Sequence, residues 1–303
     1  MDGLTLAQLK VFLAVAEQGG FSAAARSLKR AQPAVSYQIQ RLEDQVGVQL
    51  FDRSAYRASL TEAGRALAPR AQRIVEELDG FRARAEGMAR GLEVELTLVV
   101  EAMFPMAGLL GALTDFQNRF PSVQTRLRVE TLGAAVEALI DGHADIGLVV
   151  SFSERTDELV GAEITQVELV AVAAPHHPLA QIEGLLDAET LREHVQLVLS
   201  DRSNLTKGRD RGVVALRTWR LADLGAKHAM LLAGLGWGSM PRHMIQGDLD
   251  VGRLKELRPL QWDGRQGMPR LPLMVARRKS VGLGPAGAWL LARLLEGADP
   301  RVG

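Results

Sequence analysis

The stretch LKRAQPAVSYQIQRLEDQVG, residues 28–47, decides how the N-terminal part of the chain folds. Pro33 is tolerated in the first turn of a helix, and Gly47 suits the left-handed residue that ends one. Between them, apolar residues recur at helical spacing at Val35, Ile39, Leu42 and Val46. The stretch therefore predicts one amphipathic helix that begins near Pro33 and ends at Gly47.

Two shorter helices are predicted before this one. Thr5 and Gln8 have the spacing of a capping box, and apolar residues follow at helical intervals until a Gly-Gly pair. Ser22 is then expected to cap a second helix over residues 23–28. Three helices with a tight turn before the third predict a helix-turn-helix, and two short extended runs around residues 54–57 predict a hairpin, or wing.

The third helix and its surroundings carry side chains suited to DNA. Gln can bond adenine, Arg can bond guanine, and cations near the turn and in the wing can hold phosphates. Each charged residue taken alone is better explained as a solvated surface residue, but together on this helix pattern these residues predict a DNA-binding surface. The residues expected there are Arg26, Lys29, Arg30, Gln32, Pro33, Ala34, Ser36, Tyr37, Gln38, Arg41, Arg53 and Arg57.

A long helix is predicted from Thr61 to about Arg90, with apolar residues at alternating steps of four and three. This spacing is typical of a coiled-coil seam, so we expect the helix to pair with a second copy. The alternative is an amphipathic helix that packs on its own domain. Pro69 is expected to kink the helix or loosen its first turns. The predicted dimerisation seam is Leu67, Ala71, Ile74, Leu78, Phe81, Ala85 and Met88.

From residue 93 onward, apolar strands alternate with helices, a pattern that predicts open α/β sheets. Strands are expected near residues 96–100, 125–129, 146–150, 168–174, 196–200, 213–219 and 271–276. Helices are expected near residues 106–119, 134–141, 185–194, 222–234 and 285–296. The predicted fold class is therefore α/β, preceded by a helix-dominated winged helix-turn-helix.

The composition limits the class of protein. The 303 residues are 47% hydrophobic and 24% charged, which suits a soluble protein of two or three domains. The net charge is zero, so a DNA-binding face must be a local patch. The absence of cysteine excludes disulfides, thiolate metal sites and cysteine nucleophiles. No signal peptide or membrane-spanning run is predicted, so we expect a cytoplasmic protein without a membrane partner.

Several motifs resemble the LysR-type transcriptional regulators. In the first 65 residues these are GFSAAA (20–25), QPAVS (32–36), GVQLFDR (47–53) and LTEAG (60–64). Looser matches follow at GHADIG (142–147), HPLA (177–180) and GLGWG (234–238). The resemblance covers almost the whole chain.

The resemblance implies a division into a winged helix-turn-helix (1–60), a linker helix for dimerisation (61–91) and an effector-binding domain (92–303). The last would consist of two subdomains of periplasmic-binding-protein type, 92–167 with 268–303, and 168–267. It implies a bacterial homodimer or homotetramer that binds a dyad-symmetric operator in double-stranded DNA. Its further implied partners are RNA polymerase and a small-molecule effector of unknown identity. We expect no cofactor, no metal and no catalytic residues.

The effector would lie between the subdomains, against the loops that follow the strands. These loops are residues 102–105, 131–133, 150–152, 200–204 and 219–221, although each residue there can equally be one that merely finishes its loop. The expected contacts are Ala102, Met103, Phe104, Thr131, Phe152, Ser200, Arg202, Ser203 and Asn204.

Two positions depart from the family pattern. Ala31 stands where Ser or Thr is common, so the third helix lacks a hydroxyl cap, a loss of about 1 kcal/mol. The loop at residues 102–105 reads AMFP, where many members have Ser or Thr. This second departure predicts a bulkier or less polar effector, or none. The helix that follows the loop could still attract an anion at its N-terminus.

Three alternative functions are a solute-binding protein, an enzyme with a DNA-binding domain and a regulator without an effector. The α/β half alone would suit a solute-binding protein, and an enzyme fused to a DNA-binding domain would need a catalytic constellation that the sequence lacks. A regulator without an effector is a third alternative, favoured if Met103 and Phe104 block the cleft. The pair His176-His177 is expected to form a solvated turn, and Glu43-Asp44 a solvated helix face.

Overall fold

A computed structural model describes residues 3–52, 58–151, 156–200, 202–203, 205 and 211–297. The chain divides into an N-terminal unit, Met1–Gly87, and a C-terminal unit, Met88–Gly303. Within the described ranges, none of the helices combines the length and the apolar composition that crossing a bilayer requires.

The N-terminal unit contains the predicted three helices and hairpin. Its elements are α1 (Leu6–Gln18), α2 (Phe21–Ser27), α3 (Gln32–Val46), β1 (Phe51–Asp52), β2 (Ser59–Leu60) and most of α4 (Glu62–Ala89). The predicted capping box of α1 is confirmed, because Thr5 and Gln8 each accept the other's backbone amide with their side chains. The predicted cap at Ser22 is wrong. Gly20 is the N-cap of α2 without a side-chain hydrogen bond, and Ser22 lies inside the helix.

An aromatic contact holds the hairpin against the helices. The Phe51 ring on β1 meets Phe12 of α1 and Phe21 of α2 edge-on, with ring centroids 5.6 and 5.5 Å apart. All three side chains belong to the apolar core of the unit, where Phe12 and Phe51 are fully buried. Such edge-to-face pairs add about 0.5–1.5 kcal/mol each beyond the burial of apolar area. The hairpin is therefore part of the same core as the helix-turn-helix.

A buried carboxylate makes the second connection. Glu43 of α3 is only 2% exposed, and its Oε1 accepts hydrogen bonds from the amides of Leu50 (2.7 Å) and Phe51 (3.1 Å). The expectation that Glu43 lies on a solvated helix face is therefore wrong, while its neighbour Asp44 is exposed as predicted. Helical spacing from Ile39 and Leu42 already placed Glu43 at the edge of the buried face.

The long helix α4 is continuous through Pro69. Its first turns pack on the core of the N-terminal unit through Ala68, Ala71 and Val75. For these turns, the alternative interpretation of an amphipathic helix packed on its own domain is correct. Ala71, which the seam prediction includes, is buried in this way. Ala71 packs there because Ala68, Ala71 and Val75 lie at helical spacing on the face of α4 that contacts the core of the N-terminal unit.

The C-terminal unit is the predicted α/β structure. Its strands are β3 (Glu95–Glu101), β4 (Gln124–Glu130), β5 (Ile146–Val150), β6 (Leu159–Ala173), β7 (Gln196–Leu199), β8 (Thr218–Leu221), β9 (Trp237–Pro241), β10 (Lys255–Leu257), β11 (Gln261–Trp262), β12 (Arg265–Gln266) and β13 (Arg270–Arg278). Its helices are α5 (Met106–Arg119), α6 (Gly133–Ile140), α7 (Ala188–Arg192), α8 (Leu224–Leu232), α9 (Arg242–Asp250) and α10 (Pro285–Glu296).

One sheet runs through the unit in the order β4-β3-β5-β13-β6-β9-β7-β8, and β10 also pairs with β6. β6 pairs with β13 as far as Glu168, and from Leu169 onward it pairs with β9. We call the part built on β3, β4, β5 and β13 lobe 1, and the part built on β7, β8, β9 and β10 lobe 2. The two long antiparallel strands β6 and β13 therefore join the lobes.

Two strand predictions need correction. β6 begins at Leu159, earlier than the predicted start at 168. The prediction missed its first half because apolar residues alternate there with polar, exposed ones. The strand predicted at 213–219 begins only at Thr218. Its first residues are held differently, since the amides of Val214 and Ala215 bond the Gln196 side chain. The sequence patterns also did not predict β9 and α9, which follow a glycine-rich turn, or the short strands β10, β11 and β12.

Replacing Glu43 with Ala tests the connection between α3 and the hairpin. Loss of the carboxylate leaves two buried amides without an acceptor, so we expect the N-terminal unit to lose about 2–4 kcal/mol. Amide hydrogen exchange on the full chain should show lost protection at Leu50 and Phe51. Asp44→Ala, one residue along and exposed, is the control and should leave both amides protected. Unchanged protection at these amides in the Glu43 variant would contradict the assigned role.

Candidate functional site

The outer face of α3 is polar and open to solvent. Tyr37 is 66% exposed, and Gln32, Pro33 and Arg41 are exposed beside it. The opposite face is buried in the core through Val35, Ile39 and Leu42. Burial of one face therefore fixes the direction in which the polar side chains of the other face project.

No side-chain hydrogen bond caps the start of α3. Ala31 is the N-cap and makes no side-chain hydrogen bond, as the sequence predicted, while the helix begins at Gln32. Lys29 has a left-handed backbone (φ 52°), which makes the turn between α2 and α3 tight. Within this region Arg30 donates to Gln38 (3.0 Å), and Gln32 donates to Ser36 (3.3 Å). These contacts orient two of the predicted DNA-reading side chains before any DNA is bound.

The predicted DNA contacts lie around this face, although not all are equally accessible. Ser36 and Gln38 are half-buried, and Arg53 and Arg57 lie outside the described residues. The exposed ones are Arg26, Lys29, Arg30, Gln32, Pro33, Ala34, Tyr37 and Arg41.

The predicted seam of α4 is mostly open to solvent. Phe81 is 68% exposed, and Ile74 and Met88 are more than half exposed. Leu67 and Ala85 are also exposed, while Leu78 is half-buried. Large apolar side chains exposed in one row along a helix mark a surface that another protein surface covers.

The C-terminal unit contains a cavity of about 950 Å³ at the point where β6 changes partners. Leu169 of β6 and the start of β13, with Pro269 before it, line the cavity floor. Lobe 1 contributes Met103, Leu132 and Ser151, among other residues. Cavities of this volume are typical of small-molecule sites, which often lie between two structural halves.

The structure brings four of the predicted effector contacts to the cavity, namely Met103, Ser200, Arg202 and Ser203. Three others do not line it. Phe104 is buried in the hydrophobic core, Ala102 packs against that core, and Thr131 donates a hydrogen bond to the carbonyl of Ser200 (3.4 Å). Phe152 and Asn204 lie outside the described residues. Met103 and Phe104 do not block the cleft, since the cavity persists beside them.

The sequence reading missed the wall that lobe 2 contributes through β7 and α8. Gln196 of β7 is buried and lines the cavity. Its side-chain nitrogen donates to the carbonyl of Gly212 (2.6 Å), and its oxygen accepts the amides of Val214 and Ala215 (3.0 and 3.1 Å). One buried amide side chain therefore fixes the backbone segment that closes this side.

Lys227 of α8 is the other missed residue. It is 2% exposed and lines the cavity. It follows Leu224 by three residues and precedes Leu231 by four, and all three are buried on one face of α8. Burial lowers the pKa of Lys227 from 10.5 to about 7. A lysine on an apolar helical stripe was the sequence signal for this residue.

The histidine pair is only partly a solvated turn. His176 is exposed, but His177 is buried, and its Nδ1 accepts the amide of Leu179 (3.2 Å) at the start of a short 3₁₀ helix. Burial, together with the nearby His194 and His176, lowers the pKa of His177. In the described part of the chain, no group of three or more His, Asp or Glu side chains is arranged to hold a metal ion.

Two family models match the chain. Residues 6–65 match a bacterial regulatory helix-turn-helix protein of the lysR family, and residues 89–299 match the LysR substrate binding domain. The two matches fall on the exposed face of α3 and on the unit that holds the cavity.

Relatives with curated names are transcriptional regulators. The probable HTH-type transcriptional regulator YhaJ of Escherichia coli K12 is 32% identical over 298 residues, which are 96% of each chain. An uncharacterized HTH-type transcriptional regulator of Mycobacterium bovis is 32% identical over 271 residues, 84% of this chain and 85% of its own.

Solved structures share the fold. An OxyR mutant of Corynebacterium glutamicum with bound hydrogen peroxide has a TM-score of 0.52 at 22% identity, covering 98% of this chain and 95% of its own. Full-length LysG of the same organism, with arginine bound as effector, has a TM-score of 0.50 at 20% identity, covering 97% and 98%. At these identities the likeness describes the fold alone.

Replacing Lys227 with Met tests the cost of the buried amine. The unfolded chain protonates Lys227 below pH 10.5, while the folded chain does so only below about pH 7. Between these values the unfolded state binds more protons, so the free energy of unfolding rises with pH. The substitution should therefore raise it by up to about 4 kcal/mol near neutral pH, and the gain should fade toward pH 10.

Urea unfolding followed by tryptophan fluorescence measures this, because all four tryptophans lie in the C-terminal unit. Lys279→Met removes an exposed lysine of the same unit and should change little at any pH. A Lys227 variant with the same pH dependence as the unchanged chain would show that the amine is not buried as described.

Proposed function

Because the chain belongs to the LysR family of bacterial transcriptional regulators, we propose that α3 reads an operator and that a small molecule in the cavity controls the response. The observation that carries the first half is the exposed polar face of α3, held by burial of its other face. The observation that carries the second is the cavity at the crossover of β6.

For DNA reading, α3 enters the major groove with its N-terminal turns toward the bases. Gln32 and Arg41 are the exposed side chains with the donors to bond adenine and guanine edges. Arg26, Lys29 and Arg30 beside the tight turn then hold phosphates, which fix the position of the helix without reading sequence.

Dimerisation through the exposed part of the α4 seam pairs two such helices on a dyad-symmetric operator. The exposed side chains of Ile74, Phe81 and Met88 support this assignment. Sedimentation of the full chain distinguishes a dimer from a tetramer. Recruitment of RNA polymerase, and action in the bacterial cytoplasm where the chromosome lies, follow from the role of a transcriptional regulator.

The effector acts by shifting a population. A ligand that touches both lobes favours the arrangement in which both contacts are made, provided that it binds the two arrangements with different affinity. A regulator that needs no effector is the second candidate, but the open cavity beside Met103 disfavours it. Solute binding or catalysis as the main activity is disfavoured because the named relatives are transcriptional regulators.

Gln32→Ala and Arg41→Ala test the reading of DNA. Each should weaken binding to the operator by tenfold or more, since a bidentate base contact contributes about 1–3 kcal/mol of discrimination. The operator is first located by footprinting on the DNA that flanks the gene, with and without metabolites. Gel-shift titrations then compare it with random DNA at fixed salt.

Lys10→Ala is the control for these variants, because Lys10 of α1 pairs with Asp79 (3.3 Å) and lies outside the predicted reading face. An equal loss on operator and random DNA would show that Gln32 and Arg41 only hold phosphates. Full retention of operator binding by both variants would remove them from the interface.

Ile74→Lys combined with Phe81→Lys tests the seam. Two charges in an apolar interface carry a desolvation cost, so we expect monomers at concentrations where the unchanged chain sediments as a dimer or tetramer. The double variant Glu76→Lys with Ala83→Lys places the same charges on the opposite face of α4 and should keep the assembly intact. A stable dimer of the first variant would refute the seam.

A further inference from the structure

Lys227 carries a buried amine that no carboxylate of the described residues pairs with. Among the described residues it makes no hydrogen bond and no ion pair, although it is 2% exposed. Its stem passes Gly238 of β9, where an added Cβ would lie 3.2 Å from Lys227 Cε. The side chain therefore runs through a gap that a glycine leaves open, and it lines the cavity.

Such a residue is costly for a structure that only has to fold. An amine taken out of water without a partner is disfavoured, and an apolar side chain of similar length would fill the same space. Perturbed buried groups without a structural partner concentrate at functional sites. The missing partner is thus expected from a ligand.

The charged side chains that line the cavity indicate which class of ligand it binds. Besides Lys227, the described lining carries five arginines and a single carboxylate, Asp263, whose Oδ1 accepts the amide of Gly212. The arginines are Arg202, Arg211, Arg220, Arg265 and Arg270. All five arginines are exposed to solvent, so this excess of cationic side chains attracts anions toward the cavity, while Lys227 is the buried cationic group of the lining.

The uncharged residues of the lining indicate the other chemical properties of the ligand. Met103, Leu132, Leu169 and Trp262 present apolar surface. The N-terminus of α8 is closed by Asp223, which accepts the amide of Ala226, so a helix terminus is not free there to hold a phosphate. The combination fits a compact anionic group attached to an apolar body.

We propose that the effector is a small organic carboxylate whose carboxylate accepts a hydrogen bond from Lys227 Nζ while its apolar part lies between the lobes. This rests on the proposed function, because it assigns a ligand class to the same cavity. The contact supplies the partner that Lys227 lacks, and it links α8 of lobe 2 to whatever the ligand touches in lobe 1.

No neighbouring side chain of the described elements replaces such a ligand. On β6, Glu168 bonds Arg242, and Glu163 accepts a hydrogen bond from Gln166. On α8 itself, His228 Nε2 lies 2.6 Å from Asp248 Oδ2. On β8 the charged residue is Arg220, which is itself a cation. Burial alone accounts for the low pKa of Lys227.

Binding of a carboxylate should therefore be linked to a proton. An anion beside the amine favours its charged form, so the pKa of Lys227 rises when the ligand binds. At about pH 8 the unliganded amine is mostly neutral, and binding should take up close to one proton.

The test uses the full chain with benzoate, phenylacetate and hexanoate, each compared with its neutral amide. Thermal unfolding monitored by tryptophan fluorescence detects binding, and calorimetry in buffers of different ionisation enthalpy counts protons. We expect at least one carboxylate to stabilise the chain where its amide does not, with proton uptake at about pH 8.

Lys227→Met should then weaken that carboxylate by about 100-fold and abolish the proton uptake. Because this substitution is expected to stabilise the C-terminal unit, lost binding is not a folding defect. Lys279→Met should bind the carboxylate as the unchanged chain does.

Several results would overturn the proposal. They are stabilisation by no carboxylate of the panel, equal stabilisation by acid and amide, equal affinity of the Lys227 variant, or binding without proton uptake at about pH 8. Response to an amide alone would reject the carboxylate but keep an effector in the cavity. The operator titrations above test DNA reading separately, so the two failures are distinguishable.

Discussion

The antiparallel pairing of β6 with β13 is the constraint on which the C-terminal unit depends. The two strands stay paired from Leu159–Arg278 to Glu168–Arg270, and they approach so closely at Gly161 that an added Cβ would lie 2.0 Å from the Val275 carbonyl oxygen. Beyond Glu168, β6 leaves β13 and enters the sheet of lobe 2. Because the same strand serves both lobes, this crossover lies at the cavity, where Leu169 of β6 and Arg270 of β13 belong to the lining. A ligand on this part of the lining necessarily lies against the connection between the lobes.

Glu43 of the N-terminal unit and Lys227 of the C-terminal unit are both buried ionisable side chains, but they differ in their hydrogen bonds. Glu43 accepts two backbone amides and thereby attaches the hairpin to α3, so its burial serves the fold. Lys227 has no such bonds in the described residues, so its burial costs stability without fixing any backbone group. The hydrogen bonds of Glu43 therefore identify a structural role, and their absence at Lys227 among the described residues is what supports the proposed ligand contact.

Sequence patterns predicted most of the fold, because local signals determine it. The start of α1, the bounds of α5 and α10, and strand β5 follow from caps and apolar spacing that neighbouring residues supply. The failures have non-local causes. The first half of β6 is held by β13, more than a hundred residues away, and Val214 is held by the Gln196 side chain instead of a strand. Four of the nine expected effector contacts line the cavity, and local signals made them predictable. Met103 and Arg202 sit in loops that follow strands, whereas Lys227 faces the cavity from inside a helix.

The position of Lys227 bears on how a signal can leave the cavity. The lobes already touch where Thr131 of lobe 1 donates to the Ser200 carbonyl of lobe 2, a long hydrogen bond of 3.4 Å. A contact of that length contributes little by itself. The lobes also share a core of buried apolar residues, which includes Leu98 of β3 and Leu197 of β7. Allosteric couplings are typically about 1–3 kcal/mol, and a buried charge pair supplies energies of that size or more. Under the proposal, a ligand that pairs with Lys227 in lobe 2 and packs on Met103 in lobe 1 biases the lobe arrangement to the extent that only one arrangement permits both contacts. A ligand that lacks the anion must obtain the same bias from apolar contact alone.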